Sequence, residues 1–174
     1  MFADDGIELK PAVLVVDDED DNREILRSML EDDGYPVLLA RDGKEALRKA
    51  RFGVGVILMD VHMPNLDGVS ACKFLQANPG TRDIPVLFLS ATEDDGVAMS
   101  ALEAGAYDFL PKPAPLAELR LKIAAIANMP RVADPSRRRW VYLEALKMEG
   151  ERQRDEEEAM KLSWHESSWA TETA

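Results

Sequence analysis

"ILMDVHMPNLDG", residues 57 to 68, decides how this chain is read. Its first residues form an apolar run without the spaced polar positions of a surface helix, so they read as a strand covered on both faces. The run stops on a carboxylate, Asp60, and then breaks into a loop punctuated by Pro64, Asn65 and Gly68. A buried strand that ends on an ionisable group asks for a reason. In open parallel sheets, ligands bind outside the carboxyl ends of the strands, so an acid at that position is a candidate for chemistry.

Working outward, "GVILM" (55 to 59) is the third of five short apolar runs. The others are "AVLVV" (12 to 16), "PVLLA" (36 to 40), "PVLFL" (85 to 89) and "YDFL" (107 to 110). Amphipathic stretches separate them. Ile25, Leu26, Met29 and Leu30 share one helical face, as do Ala46, Leu47 and Ala50, then Val69, Cys72 and Leu75. Leu116, Leu119, Ile123 and Ile126 make the clearest stripe, and all these side chains are read as core. Gly34, Asn78-Pro79-Gly80 and Gly105 stand where helices should stop. Strands alternating with helices over residues 10 to 129 predict an α/β fold, a doubly wound five-stranded parallel sheet inside an α/β/α sandwich. Residues 130 to 136 read as a linker, with Asp134-Pro135 suited to start a helix, and residues 137 to 174 as a charged helical C-terminal extension. Only its first half, "WVYLEALKM" (140 to 148), has the apolar residues to pack.

Composition narrows the function. The 174 residues carry a net charge of −12, with 46% hydrophobic and 31% charged residues. No apolar stretch approaches the roughly 18 residues of a membrane span, so no membrane association is expected. The acidic opening "MFADDGIELK" lacks the basic start of a secretory signal, and a cytoplasmic location is expected. The acidic balance disfavours direct nucleic-acid binding, which needs a cationic face. Cys72 is the sole cysteine, and His62 and His165 the only histidines, so neither an intrachain disulfide nor a zinc cluster is expected.

The strand ends hold a different constellation: Asp17 and Asp18 after the first run, Asp60 after the third, Ser90 after the fourth and Lys112 just past the fifth. Carboxylates meeting at one rim would repel each other unless a cation sat among them. Mg²⁺ suits such hard oxygen ligands, and the lack of Gly at the sixth position of "DDEDDN" (17 to 22) argues against a calcium loop.

Four motifs in order, "VLVVDDED" (13 to 20), "LMDVHMPNLDG" (58 to 68), "LFLSA" (87 to 91) and "YDFLPKP" (107 to 113), resemble the receiver domain of two-component response regulators, the CheY-like family, over about residues 10 to 129. The resemblance implies a flavodoxin-like sheet with strand order 2-1-3-4-5. It implies that Asp60 is the phosphoacceptor, loaded by a histidine kinase or a histidine phosphotransfer protein. It implies a Mg²⁺ ion on Asp18, Asp60 and the His62 backbone carbonyl, with Asp17 holding metal-bound water. Lys112 and Ser90 would meet phosphoryl oxygens, Ser90 and Phe109 would form the switch pair, and the Lys112-Pro113 bond would be cis. His62 and Thr92 fall at variable positions that tune phosphate lifetime. Such a protein is a signalling switch that catalyses only its own phosphorylation and dephosphorylation.

Two enzyme or cofactor readings compete. A haloacid-dehalogenase-type phosphatase also uses an Asp nucleophile with Mg²⁺, but it needs a second Asp two residues on, where this chain has His62. A flavin site on the same fold is disfavoured because "DDEDD" (17 to 21) would repel the flavin phosphate. The tail after Met129 is too short for a winged-helix output domain. It is expected to pack on its own receiver or on a second copy as a homodimer, anchored by Trp140. Alternatively, the chain is the N-terminal receiver fragment of a longer regulator whose effector domain is missing.

Overall fold

The computed structural model describes residues 10–50, 53–91, 95–130, 132 and 134–171. Five strands, β1 (Ala12–Val16), β2 (Val37–Ala40), β3 (Val54–Asp60), β4 (Val86–Ser90) and β5 (Asp108–Pro111), form one sheet in the order β2-β1-β3-β4-β5. All pairings are parallel, with registers such as Leu14 opposite Ile57 and Asp60 opposite Leu89. The expected fold class and strand order are therefore both observed.

Alternate strand residues feed two separate cores, as a pleat of period two requires. Leu14, Val16, Ile57, Met59 and Phe88 enter the first, with Ala46 of α2 (Gly43–Lys49), Cys72 of α3 (Gly68–Ala77) and Ala101 of α4 (Asp95–Glu103). Val13, Val15, Val56 and Leu58 enter the second, with Leu30 of α1 (Asp20–Asp32) and Ile123 of α5 (Leu116–Asn128). The central β3 is buried along its whole length, which is why it reads as an unbroken apolar run.

The helix starts are chemically specified. Asp42 caps α2 by accepting from the Glu45 N–H at 2.8 Å, and Asp67 caps α3 by accepting from the Ser70 N–H at 2.9 Å. Gly34 (φ 81°) and Gly105 (φ 98°) follow α1 and α4 in the left-handed conformation that ends a helix.

Two apolar side chains depart from the expected core. Ile25 is 60% exposed and Leu116 46% exposed. Both line the groove beside the carboxyl ends of the strands.

The last helix, α6 (Pro135–Thr171), begins where Asp134 accepts from the Ser136 N–H at 3.0 Å, so the Asp-Pro start is used as expected. It docks on its own receiver, but not through the anchor that the sequence suggested. Trp140 is 65% exposed, whereas Tyr142 is 1% exposed. The Tyr142 hydroxyl donates to Asp108 Oδ2 at 2.8 Å, and its ring meets Tyr107 edge-on at 6.0 Å. Arg138 donates to the carbonyls of Val132 (2.9 Å) and Arg82 (2.8 Å), to Gln76 Oε1 (2.9 Å) and to the Asp83 carboxylate. These partners lie at the end of α3, in the α3–β4 connection, in the segment before α6 and at the first residue of β5, the pole of the sheet opposite its carboxyl ends.

Candidate functional site

The sheet order brings the expected residues together. β1 and β3 are neighbours, so Asp17 and Asp18, which follow Val16, stand beside Asp60. Their carboxylate oxygens and that of Asp60 lie within 4.8 Å of one another. Asp17 and Asp60 are buried, and Asp18 is exposed. Ser90 ends the adjacent β4 fully buried, and its carbonyl accepts from the Lys112 N–H at 2.7 Å. The Lys112-Pro113 peptide is cis.

Lys112 returns across the rim and places Nζ 2.5 Å from Asp17 Oδ2 and 2.9 Å from Asp60 Oδ2. Burial alone would lower its pKa, but the hydrogen bonds that the ammonium donates to both carboxylates outweigh that and raise it, so the ammonium stays charged. It acts as a resident cation between two acids that would otherwise repel.

Backbone and neighbours fix each acid. Asp17 Oδ1 accepts from the Glu19 N–H at 2.9 Å, while Asn22 Nδ2 stands 3.4 Å from both Asp17 oxygens. The His62 N–H donates to Asp60 Oδ1 at 3.2 Å, and the His62 side chain is exposed. After Asp60 the chain folds back so that the Gly68 N–H donates to the Val61 carbonyl at 2.9 Å. A Cβ on Gly68 would sit 2.1 Å from the Asp60 carbonyl oxygen, so only glycine admits this return. Asn65 (φ 67°) ties the loop to the α2 cap, its Nδ2 donating to Asp42 Oδ2 at 3.1 Å.

Phe109 is half-buried against the first core, and its residue pairs with Phe88 in the β4–β5 register, so it lies on the strand that leads to Lys112. Thr92 lies outside the described residues. Beside the acids opens a groove of about 490 Å³, walled by Asn22 and Ile25 of α1 and by Pro113 and Leu116 after β5. Sequence reasoning missed Asn22, although an amide closing a run of acids was a visible cue. It also took Ile25 and Leu116 for core when they form the groove's apolar wall.

The donor set answers the test of chemistry. Three carboxylates clustered around one point, two of them already sharing a cation, form the hard-oxygen environment that a divalent ion such as Mg²⁺ prefers.

A parallel 2-1-3-4-5 sheet with acids on two central strands, a hydroxyl on the next and a lysine beyond defines a receiver. Comparison with known proteins agrees: the model of the response regulator receiver domain matches residues 13–124, and the chain belongs to that family. It is 41% identical over 123 residues to the response regulator MprA of Mycobacterium leprae, an alignment covering 70% of this chain and 53% of the relative. It is 38% identical over 128 residues to the response regulator PleD of Caulobacter vibrioides, covering 73% of this chain and 28% of that protein. The chain thus spans about half or less of these curated relatives. Among solved structures it resembles the receiver domain of the sensor histidine kinase PA1611 from Pseudomonas aeruginosa, solved with a magnesium ion coordinated in the active-site cleft. That match has 36% identity, a TM-score of 0.61, and covers 66% of this chain and 94% of that one. The chemotaxis response regulator CheY4 of Vibrio cholerae matches with 30% identity and a TM-score of 0.61, covering 66% and 98%. Among the described residues no helix is long and apolar enough to cross a membrane.

Proposed function

We propose that this receiver is a phosphorylation switch in which Asp60 accepts a phosphoryl group from a phosphohistidine donor, a histidine kinase or phosphotransfer protein. The observation that carries the reading is Lys112 Nζ held within 2.9 Å of Asp60 at the mouth of a buried strand. An Asp60 carboxylate oxygen attacks phosphorus, the phosphorus–nitrogen bond to the donor imidazole breaks, and the imidazole leaves with the bonding electrons and takes up a proton. As Asp60 becomes an acyl phosphate, Lys112 turns from pairing two carboxylates to pairing a phosphoryl oxygen, and the Ser90 hydroxyl serves a second oxygen. A magnesium ion bound by Asp18, Asp60 and the His62 carbonyl, with Asp17 behind a bound water, would supply the remaining neutralising charge.

The groove between α1 and the segment after β5 suits the donor's approach. It offers Ile25 and Leu116 as apolar contacts and ends at the acids. Ser90 and Phe109 then carry the response: the hydroxyl moves toward the phosphate and the ring follows into the space it leaves.

Beryllofluoride, which mimics a phosphoryl group on a carboxylate, provides the test. With Mg²⁺ it should raise the melting temperature of the wild type and leave Asp60→Asn unmoved. An equal rise in both proteins would overturn the assignment of Asp60.

A further inference from the structure

Asp108 ties the strand that carries Phe109 to the last helix. Its Oδ1 accepts from the Phe109 N–H at 2.9 Å, and its Oδ2 accepts from the Tyr142 hydroxyl of α6 at 2.8 Å and from the Lys122 ammonium of α5. Asp108 opens β5, and Lys112 comes directly after the strand's last residue. Helix α6 therefore grips the far end of the strand that leads into the acidic rim, about 13 Å from Lys112 at roughly 3.3 Å per residue.

The two faces of β5 serve different neighbours. Phe109 packs into the first core, whereas Leu110 enters the second core, which Tyr142 and Leu146 of α6 join on the side where Asp108 meets Tyr142. The strand is an edge of the sheet, paired on one side only with β4, so it has more freedom to shift than the central strands. We propose that α6 is a latch on the switch. Seated on Asp108, it draws β5 toward the second core and opposes the inward turn of the Phe109 ring, so phosphorylation of Asp60 and docking of α6 disfavour each other. A hydrogen bond depends on distance and direction more steeply than an apolar contact does, which lets a small shift of β5 reach Tyr142. The latch rests on the roles given above to Asp60 and Phe109.

Beryllofluoride titrated into the full chain in Mg²⁺, followed by fluorine NMR, tests the coupling. Tyr142→Phe, which keeps the ring but cannot donate to Asp108, should bind it about 5-fold or more tightly than the wild type, as ordinary coupling between sites would give. Coupling is reciprocal, so saturating beryllofluoride should speed amide exchange over residues 142 to 149 of the wild type by the same factor. In a Phe109→Ala background, Tyr142→Phe should leave the affinity within about 2-fold, because the ring that the latch restrains is gone. A gain that persists in that background would mark general loosening and overturn the route through Phe109. Equal binding by the wild type and Tyr142→Phe would overturn the latch and leave Asp60 in its role, whereas a wild type that binds no beryllofluoride would remove the Asp60 reading and the latch together.

Discussion

Removing the Tyr142 hydroxyl is the most informative perturbation of the α6 docking. The phenol is fully buried, and its oxygen donates to Asp108, which also accepts an ion pair from Lys122. Burial, aided by the Asp108 charge, pushes the Tyr142 pKa far upward, so the hydroxyl is a proton donor at every ordinary pH. In Tyr142→Phe the carboxylate loses one partner and keeps Lys122, at a cost of about 1.5–3 kcal/mol for a hydrogen bond to a charged group. For a chain of this size that lowers Tm by roughly 3–12 °C, at 2–4 °C per kcal/mol. Tyr142→Ala also empties the space beside Tyr107 and should cost about 3–5 kcal/mol. Trp140→Ala, by contrast, should stay within about 0.5 kcal/mol, because its ring lies in solvent in the single chain. Thermal unfolding of the three variants under conditions that keep the chain monomeric makes the comparison. If Tyr142→Ala melted like the wild type while Trp140→Ala did not, α6 would be docked by its other face and the reasoning would fail.

Other expectations follow from the same geometry. Gly68→Ala should cost about 1–3 kcal/mol, since the new methyl meets the Asp60 backbone and the loop must shift; a chemical-denaturation midpoint equal to wild type would contradict this. Asp18→Asn should weaken Mg²⁺ binding in calorimetry yet leave stability within about 0.5 kcal/mol, because the side chain is exposed. The cap carboxylates give a pH signature. The Glu45 N–H holds Asp42 below its ordinary value of 3.8; at Asp67 burial opposes the shift, but the Ser70 N–H and hydroxyl outweigh it. A depressed folded-state pKa adds stability above the unfolded value and loses it as pH falls through the folded one. Stability should therefore decline below about pH 4, and Asp67→Ala should cost about 1 kcal/mol at neutral pH and progressively less in acid. A cost independent of pH would refute the cap's charged role.

The sheet and its acidic rim were legible because both depend on local signals. Buried parallel strands leave unbroken apolar runs, and residues at their carboxyl ends converge whatever the loops do, so Asp17, Asp60, Ser90 and Lys112 could be grouped without coordinates. What escaped depends on where one element ends against another. Periodicity marks Ile25 and Leu116 as members of an apolar stripe, but the sheet's edge decides that they face a groove. Likewise "WVY" (140 to 142) offers two aromatics a little over half a turn apart. The rotation of α6 is chosen by Asp108, Asp83 and Gln76, which lie far away in sequence, so the buried aromatic is Tyr142 and not the larger Trp140.

The central claim, that the rim of acids exists to load a phosphoryl group onto Asp60, is tested most directly by mass. The intact chain, incubated with a small acyl phosphate and Mg²⁺, should gain one phosphoryl group that maps to the peptide containing Asp60. The gain should vanish on chelation of the metal and in Asp60→Asn. Full labelling of Asp60→Asn, or labelling that maps to another residue in the wild type, would contradict the account.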